Sequence, residues 1–378
     1  MDQLTLPCTD CDGARARLQA AGFRVASCEP APGRPDACLL SFDHPSPGAT
    51  ATAALSTPGV VHDPVPLTDT QVRAAQAIVN LFETSAVLGV YGQVTVIAGD
   101  TGHLTYGRSQ TTLSTGNLHL MVQRYCAVPG ARFAAPLEGY LARLQARDVA
   151  LDHDAYLANL LRACADDPLM RDVQDEFFDE HYWKPALASA AHVGVRSALG
   201  IAVVYDSTVH GSWEAIRDKV LHDAGPVSDL GEIAWIAAYI ETRRSWLATS
   251  PRDDLRKCVY RMDAFGALAQ AGHWGLALPL VVRGAEISTT TLAGMPPGCY
   301  DGPQPGTRPL ALQAPMARGL DVRLMQLGLS RRSMDVTADG VFGNGCVKAL
   351  TAYQTAHGLP VTGTADAALV AQLARMDT

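Results

Sequence analysis

The chain has 378 residues, 48% of them hydrophobic, enough for one large or two to three modest domains with their own cores. Its net charge is −8, which argues against a nucleic-acid binder. No apolar run reaches the length of a membrane span, and the start, MDQLTLPCTDCDGARARLQAAGF, lacks the basic and apolar regions of a signal peptide.

Residues 1–45 read as a small α/β piece, with a helix over Ala14–Ala21 and a strand over Ala37–Phe42. Cys8, Cys11, Cys28 and Cys38 lie here, four of the nine cysteines. Cys8-x-x-Cys11 has zinc or redox spacing, but no second C-x-x-C or paired His follows nearby. Plain thiols, or a disulfide formed after export, are the favoured reading, with no metal and no other cofactor. Residues 44–67 are rich in Pro, Ala, Thr and Gly and read as a linker.

Thr68-Asp69 has the chemistry of a helix N-cap. Val72, Ala75, Ile78, Val79 and Phe82 then recur at helical spacing, predicting one buried face that ends at Glu83. Gln93–Asp100 is β-rich and runs into a Gly-Asp-Thr-Gly turn, from which His103-Leu-Thr-Tyr-Gly returns as a second short strand. Helical patterns resume over 116–125, 136–146, 154–165, 169–191, 193–204, 213–224, 230–248 and 255–271. Residues 294–309, GMPPGCYDGPQPGTRP, read as a second linker, before a compact tail.

Glu83 and Asp100 invite a chemical reading. Glycoside hydrolysis needs a carboxylic acid to protonate the leaving oxygen and a carboxylate to activate water or attack the sugar. Glu83 follows Leu81-Phe82, the apolar setting suited to the acid, whereas Asp100 sits in a polar turn suited to the base. Against this stands a plain alternative, a surface Glu and a turn-forming Asp.

Residues 74–284 resemble the family 46 chitosanases of the lysozyme-like superfamily. AIVNLFETS resembles the helix that ends in that family's general acid, and GDTGHLTYG its hairpin. The resemblance implies Glu83 as acid, Asp100 as base and Thr105 as a holder of the attacking water. It further implies inversion, with the carboxyls roughly 6.5–9.5 Å apart. Val173–Val195 and Leu199–Gly211 continue the match. The resemblance implies a buried ion-pair network of Asp206 with Arg243, in YIETRRSW, and Arg261, in CVYRMDAF; Tyr91 and His210 are further candidate substrate contacts. The apolar flanks of Asp206 independently favour burial with a partner.

Two departures matter. The family's turn carries Asp-Gly-Arg-Gly before the Thr, but here it is Asp100-Thr-Gly-His103-Leu; His103 is either a substrate contact or a turn residue only. LSTGNLHLMVQRY resembles the stretch whose Asp recognises the free amine of glucosamine, and the equivalent here is Asn117. A neutral amide loses the charge-assisted bond to an ammonium but suits an N-acetyl group. Asn117 also reads as an N-cap for the following helix.

Leu320–Leu373 resembles the three-helix peptidoglycan-binding module, through Leu327-Gly328, Asp339-Gly-Val-Phe-Gly343 and Ala349–Gly363. Such a module raises the local concentration of an attached enzyme at its polymer.

The expected architecture is mainly α. A small α/β segment and linker occupy 1–67, and a lysozyme-like, two-lobed helical catalytic domain with a small β-hairpin occupies 68–293. A linker over 294–309 and the three-helix module over 310–378 follow. The expected function is hydrolysis of peptidoglycan glycan strands by a muramidase, an antibacterial secreted effector or lysin acting outside the cytoplasm. An immunity protein or secretion adaptor would be its partner. The alternatives are a chitosanase and a wall-binding protein without catalysis.

Overall fold

The computed structural model describes residues 2–7, 24–30, 37–43, 67–108 and 110–375. Two compact units divide between Val61 and His62. The first holds an antiparallel sheet of β1 (Asp2–Pro7), β2 (Arg24–Pro30) and β3 (Ala37–Asp43) in the order β1-β3-β2. β3 covers the expected strand; β1 and β2 carry no clear alternation and were not anticipated. The Ala14–Ala21 helix, Cys8, Cys11 and the stretch 44–66 lie outside the described residues.

The second unit starts with α1 (Asp69–Thr84). Thr68 caps it: its hydroxyl accepts from Gln71 N at 3.3 Å, while Gln71 Oε1 accepts from Thr68 N at 2.9 Å. Ala75, Ile78, Val79 and Phe82 are buried, as their spacing predicts, and Val72 is half-buried. A hairpin sheet of β4 (Val94–Thr95), β5 (Thr105–Tyr106) and β6 (Thr111–Thr112) follows. It has one strand more than expected, because Thr111-Thr112 is too short to show alternation.

The main helices are α2 (Asn117–Cys126), α3 (Ala155–Cys164), α4 (Pro168–Phe178), α5 (Lys184–Val193) and α6 (Ala198–His210). They continue with α7 (Trp213–Ala224), α8 (Glu232–Ala248) and α9 (Tyr260–Gln270). The single helix expected over 169–191 is interrupted by a π-turn at Asp179–Trp183. The one expected over 136–146 is two short helices, Ala134–Glu138 and Leu141–Gln145.

Two cores make two lobes. One packs α1 against α5–α9, around Ile78, Leu199, Val203, Trp235, Tyr239 and Phe265. The other packs the hairpin, α2, α3 and α4, around Tyr106, Met121, Tyr125, Leu160 and Met170. The chain passes between lobes at the end of α4, where Phe177 belongs to the second core and Phe178 to the first. α6 is buried along Ala198–Ser207, all round, as a helix through the middle of a lobe must be.

The tail forms α10 (Leu320–Arg331), α11 (Asn344–Ala356) and α12 (Ala367–Leu373), with a core including Met325, Phe342, Leu350 and Tyr353. The 294–309 stretch does not behave as a free linker. Its Cys299 is buried, and Tyr300 N donates to Asp166 Oδ1 at 2.8 Å. Proline and glycine here shape a packed strap rather than a loose tether. The module docks as well: Leu320, Leu324 and Leu327 of α10 enter the second lobe's core.

Two polar residues lock this junction. Asn159 of α3 donates to Ser330 Oγ at 2.9 Å and to Val336 O at 2.8 Å, and its Oδ1 accepts from Ala338 N at 2.8 Å. Asn159→Ala leaves those buried groups unpaired and is expected to cost about 2–3 kcal/mol, read as a lower urea midpoint with an unchanged slope. Buried Arg323 donates to Arg162 O and Ala338 O, each at 3.1 Å, and to Gly298 O. Its Nε lies 3.2 Å from Asp166 Oδ2. Burial pushes the Asp166 carboxyl up to about 6, against the pull of Arg323. The folded state therefore binds this proton more tightly than the unfolded chain. Stability from this group is greatest below the ordinary carboxylate range and is lost as pH rises towards 6. Asp166→Asn is expected to flatten that part of a melting-temperature profile against pH.

Candidate active site

The end of α1 is fixed from several sides. Ser85 closes the helix in the left-handed region with φ 58°, and its N–H donates to Leu81 O at 3.2 Å. Tyr260 OH donates to Phe82 O at 2.9 Å, and the Phe82 ring meets Tyr260 and Phe265 edge-on, centroids 5.8 and 5.4 Å away. Glu83 is thereby presented to a cleft with its side chain 35% exposed.

Behind it lies an ion-pair chain. Arg261 Nη2 donates to Glu83 Oε1 at 2.7 Å and Arg261 Nη1 to Asp206 Oδ1 at 2.7 Å. Arg243 Nη1 donates to Asp206 Oδ2 at 2.5 Å. The Asp206 and Arg243 side chains are fully buried. Burial alone would raise the Asp206 carboxyl, but the two arginines override it and hold it below the usual carboxylate range. Arg243 Nη2 also lies 3.2 Å from His210 Nδ1. Burial, with Arg261 and Arg243, pushes the His210 imidazole below its usual range. An arginine can only donate, so His210 Nδ1 accepts, and the neutral ring carries its proton on Nε2.

A cavity of about 290 Å³ is lined by Asn80, Glu83, Thr84, Gly89, Arg108, Gln110, Phe178, Tyr182 and His210, among others. A second, of about 230 Å³, is lined by Gln93, Thr95, Ile97, Asp100, Thr105, Gly107, Gln110 and Thr112. Gln110 lines both. The acid candidate and the base candidate thus occupy neighbouring cavities that meet at one residue. Asp100 is exposed and folds over Gly102, where a Cβ would lie 2.9 Å from Asp100 Oδ2. Thr105 Oγ1 donates to His103 O at 3.0 Å, which leaves its lone pairs free for a water.

The other candidates fare differently. His103 has φ 59°, and its Nδ1 lies 2.8 Å from Asp152 Oδ2; Asp152 Oδ1 also accepts from Leu104 N at 2.8 Å. This pins the turn to the second lobe, and His103 lines neither cavity. Tyr91, expected as a substrate contact, is buried, its hydroxyl donates to Asp175 Oδ1 at 2.8 Å, and it lines neither cavity. Asn117 is half-buried in the first turn of α2 and lines neither cavity. It is not the N-cap, a place taken by Gly116 at φ 82° with no side-chain bond. Sequence reasoning missed Arg108 and Gln110. The available signal for Arg108 was that no other Lys or Arg lies between Arg73 and Arg124.

Among the described residues no group of three or more His, Cys, Asp or Glu is placed to hold a metal ion, and no helix is long and apolar enough to cross a membrane.

Comparison with known proteins finds similarity to chitosanases. A chitosanase of Bacillus subtilis (strain 168) is 28% identical over 236 residues, 57% of this chain and 83% of that protein. Among solved structures, a mutant chitosanase from Bacillus subtilis MY002 complexed with 6 GlcN is 27% identical, covers 58% of this chain and 96% of its own, and has a TM-score of 0.48. A Gynuella sunshinyii chitosanase complexed with chitotetraose is 24% identical, covers 59% and 98%, and has a TM-score of 0.49. Residues 318–373 match the putative peptidoglycan binding domain. Residues 77–280 match glycosyl hydrolase family 46. That span is more than half of the chain and contains Glu83, Asp100 and the Asp206 network, so the chain is a glycoside hydrolase that belongs to family 46.

Proposed function

We propose that the protein hydrolyses β-1,4-linked glucosamine polymers, the chitosanase reaction, by single displacement with inversion. The observation that carries this reading is Glu83 in the cleft, its Oε1 held by Arg261 and its neighbouring cavity holding Asp100 and Thr105. Glu83 donates a proton to the glycosidic oxygen. Arg261 steadies the carboxylate left behind, through the same bond that orients it. Asp100 takes a proton from a water positioned by Thr105, and that water attacks the anomeric carbon from the opposite face. The chitosanase named among the relatives supports chitosan as the first substrate to test.

Peptidoglycan is the second reading, and two observations favour it. The C-terminal domain is of the peptidoglycan-binding kind, which supports binding to cell-wall glycan and an extracellular or cell-wall place of action. Asn117, in place of an acid, offers an ammonium no counter-charge. On this reading the protein is a muramidase and an antibacterial effector or lysin, with an immunity protein or secretion adaptor as partner.

Digestion of chitosan and of purified peptidoglycan, separately, with mass spectrometry of the products, decides between them. Glucosamine oligomers support the first reading. Fragments ending in reducing N-acetylmuramic acid replace it with the second. Cleavage of neither would leave a binding protein without catalysis.

A further inference from the structure

The connection between β5 and β6 is anchored from one side by α4. Arg108 N donates to Gln174 Oε1 at 3.0 Å, and Gln174 Nε2 donates to Tyr91 O at 3.1 Å. Arg108 Nη1 donates to Asp175, and its guanidinium lies 4.5 Å from the Phe178 ring centroid. This anchorage needs glycine at 107, where φ is +75° and a Cβ would sit 2.2 Å from Gln174 Oε1. Gln110 N then donates to Gly107 O at 3.1 Å, closing the turn immediately before β6.

Gln110 has φ +47°, in the left-handed region where a Cβ is strained and glycine is at ease. The fold draws nothing from its side chain in exchange: the residue is exposed, and no described residue hydrogen-bonds to its amide. Strain of this kind concentrates where a side chain has a functional task. Position indicates the task. Gln110 is the only described residue that lines both the cavity of Glu83 and the cavity of Asp100. In an inverting hydrolysis the acid and the base act on opposite faces of one sugar ring, so that ring lies beside Gln110. A primary amide both donates and accepts, as a sugar hydroxyl does, and being neutral it adds no charge between the two carboxyls.

We propose that Gln110 is a substrate-positioning residue: its free amide hydrogen-bonds a hydroxyl of the sugar under attack and fixes that ring between Glu83 and Asp100. This rests on the glycan-hydrolase reading above. The contact is to a hydroxyl, so it serves glucosamine and N-acetylglucosamine units alike and does not depend on which polymer is cut. The anchored turn supplies the amide already in place, which spares the substrate the cost of ordering it.

Two variants of the full chain test this. Gln110→Met keeps the length and the backbone strain but loses the hydrogen bonds. Gln110→Gly removes the side chain and relieves the strain. On the polymer the protein cleaves, both are expected to lose roughly 10- to 100-fold in kcat/KM, mostly in kcat, because hydroxyl contacts strengthen in the transition state. Gln110→Gly should do so while its melting temperature holds or rises by up to about 4 °C, a combination that a purely structural role would not produce. Either variant, folded and keeping more than half of the wild-type kcat/KM, overturns the proposal, and so does a lower melting temperature in Gln110→Gly that matches its loss of activity. Calorimetry in the Glu83→Gln background separates this from the hydrolase reading. Hexamers of glucosamine and of N-acetylglucosamine are the probes, and Gln110→Met is expected to weaken whichever binds by roughly 3- to 10-fold. Binding that Gln110→Met leaves unchanged counts against Gln110 alone. Absence of both cleavage and binding in the parent protein sinks the hydrolase reading, and the proposal with it.

Discussion

Asp206→Ala is expected to destabilise the catalytic domain by about 3–5 kcal/mol, because it strips the shared counter-ion from two buried arginines. Arg243 and Arg261 both donate to that carboxylate, from helices α8 and α9 onto α6. Loss of the carboxylate leaves buried Arg243 without a counter-ion and Arg261 with Glu83 alone, and guanidinium does not deprotonate. Urea unfolding would measure the loss. The sign with pH is set by the depressed carboxyl. The stabilisation is present above the ordinary carboxylate range and is lost as pH falls through the lower, folded-state value. The native protein should therefore lose stability on acidification more steeply than the Asp206→Ala variant. Activity should suffer beyond stability: Arg261 would keep only Glu83 as a partner, so kcat is expected to fall more than KM rises.

Glu83→Gln is expected to lower kcat by roughly 10²–10⁴-fold, the range for removal of a general acid, with little change in fold. The amide keeps the shape and can still accept from Arg261 Nη2, so the helix end is preserved. Measured on whichever polymer the protein cleaves, the variant should retain substrate binding while losing turnover. Retention of more than a tenth of the wild-type rate would move the acid role to another residue. Asp100 could not take it by a simple exchange, because it lies across Gln110 in the neighbouring cavity.

Much of this was readable from residue order. α1 has its cap, its periodic face and its terminal carboxylate in sixteen consecutive residues, all local signals. Asp206 betrayed its burial through apolar flanks, and resemblance supplied Arg243 and Arg261 as its partners. Asp175 and Asp152 were not readable, because their roles depend on α4 and the 149–153 turn arriving beside the hairpin from far along the chain. The surroundings of Tyr91 were hidden for the same reason, since Asp175, which accepts from its hydroxyl, comes from far along the chain. The 294–309 stretch misled through composition. Proline and glycine mark bends in a packed strap as readily as in a free one, and only Asp166 and Arg323, distant in sequence, distinguish the two.

The docking of α10 has a consequence for how the enzyme meets a long polymer. A flexibly tethered module lets a catalytic domain roam and cut anywhere within its leash. Here the leucines of α10, with Asn159 and Arg323, hold module and cleft as parts of one compact unit. Such an enzyme works as a caliper. If module and cleft engage one strand, as the proposed reading would have it, the bond presented to the cleft lies a constant span from the module, and strands too short or too bent to reach both gain nothing from the second grip.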